Sequence, residues 1–110
     1  MDATIEQVGA TTVVRFSGDL DTNTSQGAQE KLNELIDDGK GQLLVNLAKV
    51  GFVSSAGLRI LLATAKRLTG GDQSLKVTDL NETVHEVFEI SGFISILSVY
   101  GTEAEALQDA

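Results

Sequence analysis

The run Gln42-Leu43-Leu44-Val45-Asn46-Leu47 constrains this chain more than any other stretch, because it shows no polar alternation until Asn46. A strand with one wet face alternates, whereas an unbroken apolar run fits a strand covered on both faces, as in a parallel sheet. Beyond it Leu58, Leu61, Leu62, Ala65 and Leu68 recur at helical spacing, so a helix from about Ser55 to Leu68 follows, with Gly70-Gly71 at its end. Between strand and helix stands Phe52-Val53-Ser54-Ser55-Ala56-Gly57. Two hydroxyls there meet the free N–H groups of a helix start, a natural place for a phosphate to sit or be attached.

The remaining elements arrange themselves around that unit. Thr4 to Val8 and Thr11 to Phe16 are rich in β-branched residues, and the Gly9-Ala10 break suits a hairpin. Gly18-Asp19-Leu20-Asp21-Thr22-Asn23 is a polar loop, with Asn23 and Gln26 placed as first and fourth residues of a capping box. Ala28, Leu32, Leu35 and Ile36 mark the first helix, which Gly39 stops. Leu75 to Thr78 is a strand, and Asp79 with Glu82 can cap a helix burying Val84, Val87 and Phe88 and ending at Gly92. Ile94 to Tyr100 contains the last strand, and Thr102-Glu103-Ala104-Glu105 opens a short terminal helix. The order ββαβαβαβα predicts an α/β fold in one domain over residues 1–110. Its sheet is mixed, mostly parallel and opened by an antiparallel hairpin, and it packs with about four helices through right-handed crossovers. The loops at Gly18 to Asn23 and Lys49 to Ser55 both follow strands, and binding groups gather at the carboxyl ends of strands in such sheets.

Composition removes several functions. A formal charge of −8 repels nucleic-acid backbones and anionic lipid, so no nucleic-acid partner and no membrane are expected. Cysteine is absent, which excludes disulfides and thiolate metal sites. No apolar run approaches the roughly 18 residues of a membrane span, and Met1-Asp2-Ala3 lacks the start of a signal peptide. The expectation is a soluble, cytosolic protein.

Catalytic motifs are missing as well. A nucleophile elbow needs glycine on both sides of its serine, but Val53 stands two residues before Ser55 and only Gly57 follows. The one histidine, His85, lies in the third helix and reads as a surface or partly buried helical residue. No phosphate-cradling glycine loop occurs, so neither a cofactor nor a metal nor catalytic residues are expected. A receiver-type phosphoacceptor aspartate fails on position, since the central strand ends in Asn46 and the Asp19-Asp21 pair follows a hairpin. Asp19 and Asp21 are either partner or metal contacts or solvated loop carboxylates that cap a helix. One of Ser54 and Ser55 suffices as a cap. Ala56, Arg59, Ile60, Ala63 and Arg67 fall opposite the leucine stripe of that helix. Ile60 there means either a partner-binding surface or a helix buried more widely than one stripe.

At this point the chain resembles the STAS-domain anti-sigma factor antagonists of bacteria. Gly18-Asp19-Leu20-Asp21 resembles that family's loop before the first helix. Leu44-Val45-Asn46-Leu47 and Val50-Gly51-Phe52-Val53-Ser54-Ser55-Ala56-Gly57-Leu58 resemble its central strand and phosphorylation segment, and the Val87-Phe88, Ser91-Gly92-Phe93 spacing also fits. The resemblance implies a cytoplasmic bacterial binding module, not an enzyme. Unphosphorylated, it binds an anti-sigma factor, usually a serine kinase of the histidine-kinase-like ATPase fold, and releases that factor's target. The kinase phosphorylates Ser55, and a PP2C-type serine phosphatase restores the binding form. Family members often carry aspartate where this chain has Ser54, so Ser54 is the alternative acceptor. With the helix face above, the expected partner-binding set is Asp19, Asp21, Thr22, Asn23, Ser54, Ser55, Ala56, Arg59, Ile60 and Ala63. STAS domains also serve transport systems, so an accessory subunit of a transporter is the rival function.

Overall fold

The first two strands turn back on each other at Gly9-Ala10, where β-branched runs meet a glycine at φ +60°. In the computed structural model, which describes residues 1–68, 73–95 and 97–108, β1 (Asp2–Val8) and β2 (Thr11–Ser17) pair antiparallel from Val8↔Thr11 to Asp2↔Ser17. There follow α1 (Ser25–Asp37), β3 (Gln42–Lys49), α2 (Ser55–Arg67), β4 (Ser74–Thr78), α3 (Glu82–Ser91), a 3-10 turn, β5 (Ser98–Tyr100) and α4 (Glu103–Gln108). The five strands lie in the order β1-β2-β3-β4-β5, and every pair after the hairpin is parallel. The sequence-based element order and sheet type are those observed. Gly70-Gly71 lies outside the described residues, as does Ile96 in the segment assigned to the last strand.

Register explains the unbroken apolar run. Val14, Val45, Val77 and Val99 are paired across four strands, and on their face α1, α2 and α3 bury Ala28, Leu32, Leu58, Leu61, Val84 and Phe88. The Cβ alternation puts Val13 and Leu44 on the opposite face, where Ala106 of α4 joins them in a second, smaller cluster. Each fully buried side chain of this kind contributes about 1.5–3 kcal/mol relative to exposure.

That second face is only partly covered, because α4 is short. Toward its carboxyl end β3 carries on this face Asn46, which is half-buried, and Ala48, which is exposed, so the expected cover on both faces holds for Leu44 and thins beyond it. Arg15 fills the gap. Its guanidinium donates to both carboxylate oxygens of Glu103, at 3.0 and 2.8 Å, and to Glu6 Oε1 at 2.9 Å, while Asn46 Nδ2 donates to Glu103 Oε1 at 2.8 Å. The arginine bonds hold the Glu103 carboxyl below its ordinary value against an opposing effect of burial, and Asn46 adds to the lowering. Glu103 and then Glu6 raise the guanidinium in turn.

Two helix starts differ from the expected ones. The capping residue of α1 is Thr24, not Asn23, and its side chain does not cap the helix. Before α3, Asp79 does not cap; it stands at φ +60° and turns the chain, and Asn81 Oδ1 accepts from the Val84 amide at 2.7 Å. Asparagine serves as well as aspartate at a cap, so the turn geometry decides which one does it. Thr102 Oγ1 accepts from the Glu105 amide at 3.1 Å, the expected cap of α4.

Candidate functional site

The loops after β2 and β3 leave neighbouring parallel strands at their carboxyl ends, and the backbone continues to pair beyond the sheet. Gly18 N–H donates to Lys49 O at 3.1 Å, Leu20 N–H to Phe52 O at 2.9 Å and Ser54 N–H to Leu20 O at 2.9 Å. Leu20 and Val53 form an isolated parallel bridge and are both buried. The two loops thereby form one platform, which carries the start of α2.

Gly57 is required at this junction. A Cβ there would lie 2.6 Å from Leu20 O, 2.9 Å from Leu20 Cγ and 3.0 Å from Val53 Cγ1. Any side chain would push α2 off the platform. The first turn of α2 is fixed by Ser54, an extended residue whose Oγ accepts from the Gly57 amide at 3.3 Å and whose carbonyl accepts from the Leu58 amide at 2.9 Å. Ser55, the first helical residue, is exposed, and no acidic side chain shares its turn. The pair is thus divided: one hydroxyl caps, and the next faces solvent beside a helix start that favours negative charge.

The carboxylates of the other loop also have separate positions. Asp21 Oδ1 accepts from the amides of Asn23 at 2.9 Å and Thr24 at 3.2 Å, and Thr24 Oγ1 donates to Asp19 O at 2.7 Å. Asp21 therefore organises its own loop, while Asp19, Thr22 and Asn23 are exposed. The Asp19 carboxylate lies against Gly51, 3.4 Å from where a Cβ would stand.

On α2 the expected outer face is split. Arg59 is exposed, Ala56 and Ala63 are half-buried, but Ile60 is only 7% exposed and belongs to the main core. The helix is buried more widely than one stripe, because it packs against both the sheet and α1. Thr64 joins the buried band by donating its hydroxyl to Ile60 O at 2.7 Å. Ile60 is thus removed from the surface set. Arg67 on this helix reaches α1, donating to Asn33 Oδ1 at 2.9 Å and Asp37 Oδ1 at 3.0 Å.

Two residues without an assigned role in the sequence stand at the site. Phe52 is 45% exposed despite its apolar neighbours, since the loop pairing uses its backbone and leaves its ring outside. Asn81 Nδ2 donates to Val50 O at 3.1 Å and, more weakly, to Gly51 O at 3.4 Å. The sequence pattern assigns the α3 cap to Asp79, so neither the capping role of Asn81 nor its reach across to another loop is legible there. His85 lies on α3 and pairs with Glu89 at 2.9 Å. Among the described residues there is no group of three or more His, Cys, Asp or Glu side chains able to hold a metal, and no helix long and apolar enough to cross a membrane.

Comparison with known proteins agrees with this geometry. The family model for the STAS domain matches residues 2–106. The anti-sigma F factor antagonist of Paenibacillus polymyxa is 30% identical, over 88% of this chain and 84% of its own length. The anti-sigma-B factor antagonist of Staphylococcus aureus is 32% identical, over 84% of this chain and 86% of its own. The crystal structure of an anti-sigma factor antagonist from Mycobacterium paratuberculosis superposes with a TM-score of 0.91 at 25% identity, covering 98% of this chain and 92% of that one.

Proposed function

The chain belongs to the STAS domain family, and on that premise we propose that it is an anti-sigma factor antagonist, a binding module without catalytic residues or cofactor, switched by phosphorylation of Ser55. The observation that carries the reading is the division of the two serines, with Ser54 engaged as the α2 cap and Ser55 exposed beside it. A kinase needs the free hydroxyl, and the helix needs the other.

In the unphosphorylated state the platform docks an anti-sigma factor, itself a serine kinase of the histidine-kinase-like ATPase fold, through Asp19, Thr22, Asn23, Ser55, Ala56, Arg59 and Ala63, with Ser54 and Asp21 shaping the surface from within. Docking releases the target that the partner held. The kinase transfers the γ-phosphoryl group of ATP to Ser55 Oγ, which loses its proton as ADP departs. The phosphoserine carries about −1.5 to −2 charges and three acceptor oxygens. At a helix N-terminus that charge does not oppose the fold, but in a docked interface its bulk and desolvation drive the partners apart. A PP2C-type phosphatase hydrolyses the ester and restores the binding form.

Paired affinity capture from bacterial lysate with Ser55→Ala and Ser55→Asp as baits tests the reading. A kinase-fold protein held by the first and lost by the second is expected. Equal retention by both baits would refute the switch, and recovery of a transport ATPase in its place would favour the accessory-subunit role.

A further inference from the structure

The segment from Val50 to Ser54, which delivers Ser55, is gripped on two sides. From the β2–α1 loop, Leu20 donates to Phe52 O and accepts from the Ser54 amide, each at 2.9 Å. From the start of α3, Asn81 Nδ2 reaches Val50 O at 3.1 Å and Gly51 O at 3.4 Å. The same side chain uses its other atom, Oδ1, to cap α3 at the Val84 amide, at 2.7 Å. One amide group therefore spans two elements, and each end has its own partner.

We infer that Asn81 is a positioning residue for the Ser55 segment, tying the phosphoacceptor loop to the first turn of α3. Val50 and Val53 anchor the segment by burial, but Gly51 and Phe52 between them are exposed and contribute little to holding it. Without the Asn81 amide, Val50 O and Gly51 O lose their side-chain donor, and the tie to α3 is lost while the backbone bonds to Leu20 remain. The start of α2 rests directly on that loop, so the orientation of the Ser54 cap and of the Ser55 hydroxyl depends on the tie. A displacement of the α3 start would likewise reach Ser55 through this side chain. The consequence for switching rests on Ser55 being the phosphoacceptor; the tie itself does not.

The two functions of the amide separate by substitution. Asn81→Asp and Asn81→Ser each retain an oxygen that can cap α3, and neither keeps an amide donor over Val50 O and Gly51 O. Amide hydrogen exchange followed by NMR, normalised to the Val45 amide as a report of global opening, reads both ends in the intact protein. In both variants the Ser54 and Gly57 amides are expected to exchange roughly three- to tenfold faster, as for a lost hydrogen bond of ordinary strength, while Val84 keeps its protection. Asn81→Ala should loosen both ends. If Asn81 only caps α3, Ser54 and Gly57 in the aspartate and serine variants will exchange as in the parent, and the inference is overturned. Should Asn81→Asp fail to fold, the serine variant decides. Mass spectrometry of the parent protein from the same bacterial source separates the two claims. A parent never modified at Ser55 counts against the proposed switch and leaves the exchange result standing. Modification of Ser55 with unchanged loop exchange leaves the switch and removes the tie.

Discussion

Ser54 accepts a hydrogen bond from the Gly57 amide, so its hydroxyl serves the start of α2, whereas Ser55 stands exposed one position later. Loss of a serine cap costs about 0.5–2 kcal/mol, and the 3.3 Å length here places Ser54→Ala in the lower half of that range. Ser55→Ala should stay within about 0.5 kcal/mol of the parent, as for exposed sites generally. Urea unfolding midpoints of the two variants check this order, and the reverse order would contradict the assignment. Gly57→Ala is the harsher change, because the new methyl meets a backbone carbonyl at 2.6 Å that cannot swing away. Overpacking of this kind costs about 1–3 kcal/mol, and an unchanged midpoint would show that the platform and α2 are not in firm contact. The serine pair and its cap were legible in the sequence because capping is local. Ile60 was not settled there, since periodicity places a residue on a helix face but cannot say how many neighbours cover that helix. Asp21 was likewise left open between a partner or metal contact and a capping loop carboxylate; its bonds to the Asn23 and Thr24 amides put it inside its own loop.

At the scale of elements, α4 is a short helix seated on the smaller of the two core clusters. It covers Val13 and Leu44 with Ala106 and is clipped to the sheet by the bidentate Arg15–Glu103 pair. The pair is partly exposed, with side-chain accessibilities of 36% and 23%, so its worth is on the order of 1 kcal/mol. Because the folded-state Glu103 carboxyl lies below its ordinary value near 4.5, this contribution is present above that value and is lost as pH falls through the lower folded one. Acidification should therefore loosen α4 before the sheet unfolds. Tyr100 packs against the same cluster and is the only tyrosine in a chain without tryptophan, so its fluorescence reports the event. Glu103→Gln should remove the acid-induced change and weaken α4 at neutral pH; an unaltered acid transition in that variant would show that another group governs it. The cap at Thr102 made α4 predictable as a helix. Its seat on the sheet was not, because Arg15 and Glu103 are joined only by the folded topology.

For the molecule as a whole, the alternation of short apolar runs with helical stripes sufficed for the element order and the mostly parallel sheet, since each period is a direct image of the face buried. The placement of both loops on one edge followed from strand direction; the hydrogen bonds that weld them did not, being backbone bonds indifferent to side-chain identity. The two loops so joined form one platform beneath the start of α2. Phosphorylation at Ser55 should leave the circular dichroism spectrum unchanged and the thermal midpoint the same or slightly higher, given a helix start that favours negative charge and a first turn free of carboxylates. A fall of many degrees would mean that the switch acts by unfolding. The central claim concerns docking, and calorimetric titration of the recovered kinase-fold partner with unphosphorylated and Ser55-phosphorylated protein tests it most directly. The account predicts saturable binding by the first form and an affinity at least tenfold weaker, about 1.4 kcal/mol or more, for the second. Equal affinities for the two forms would contradict it.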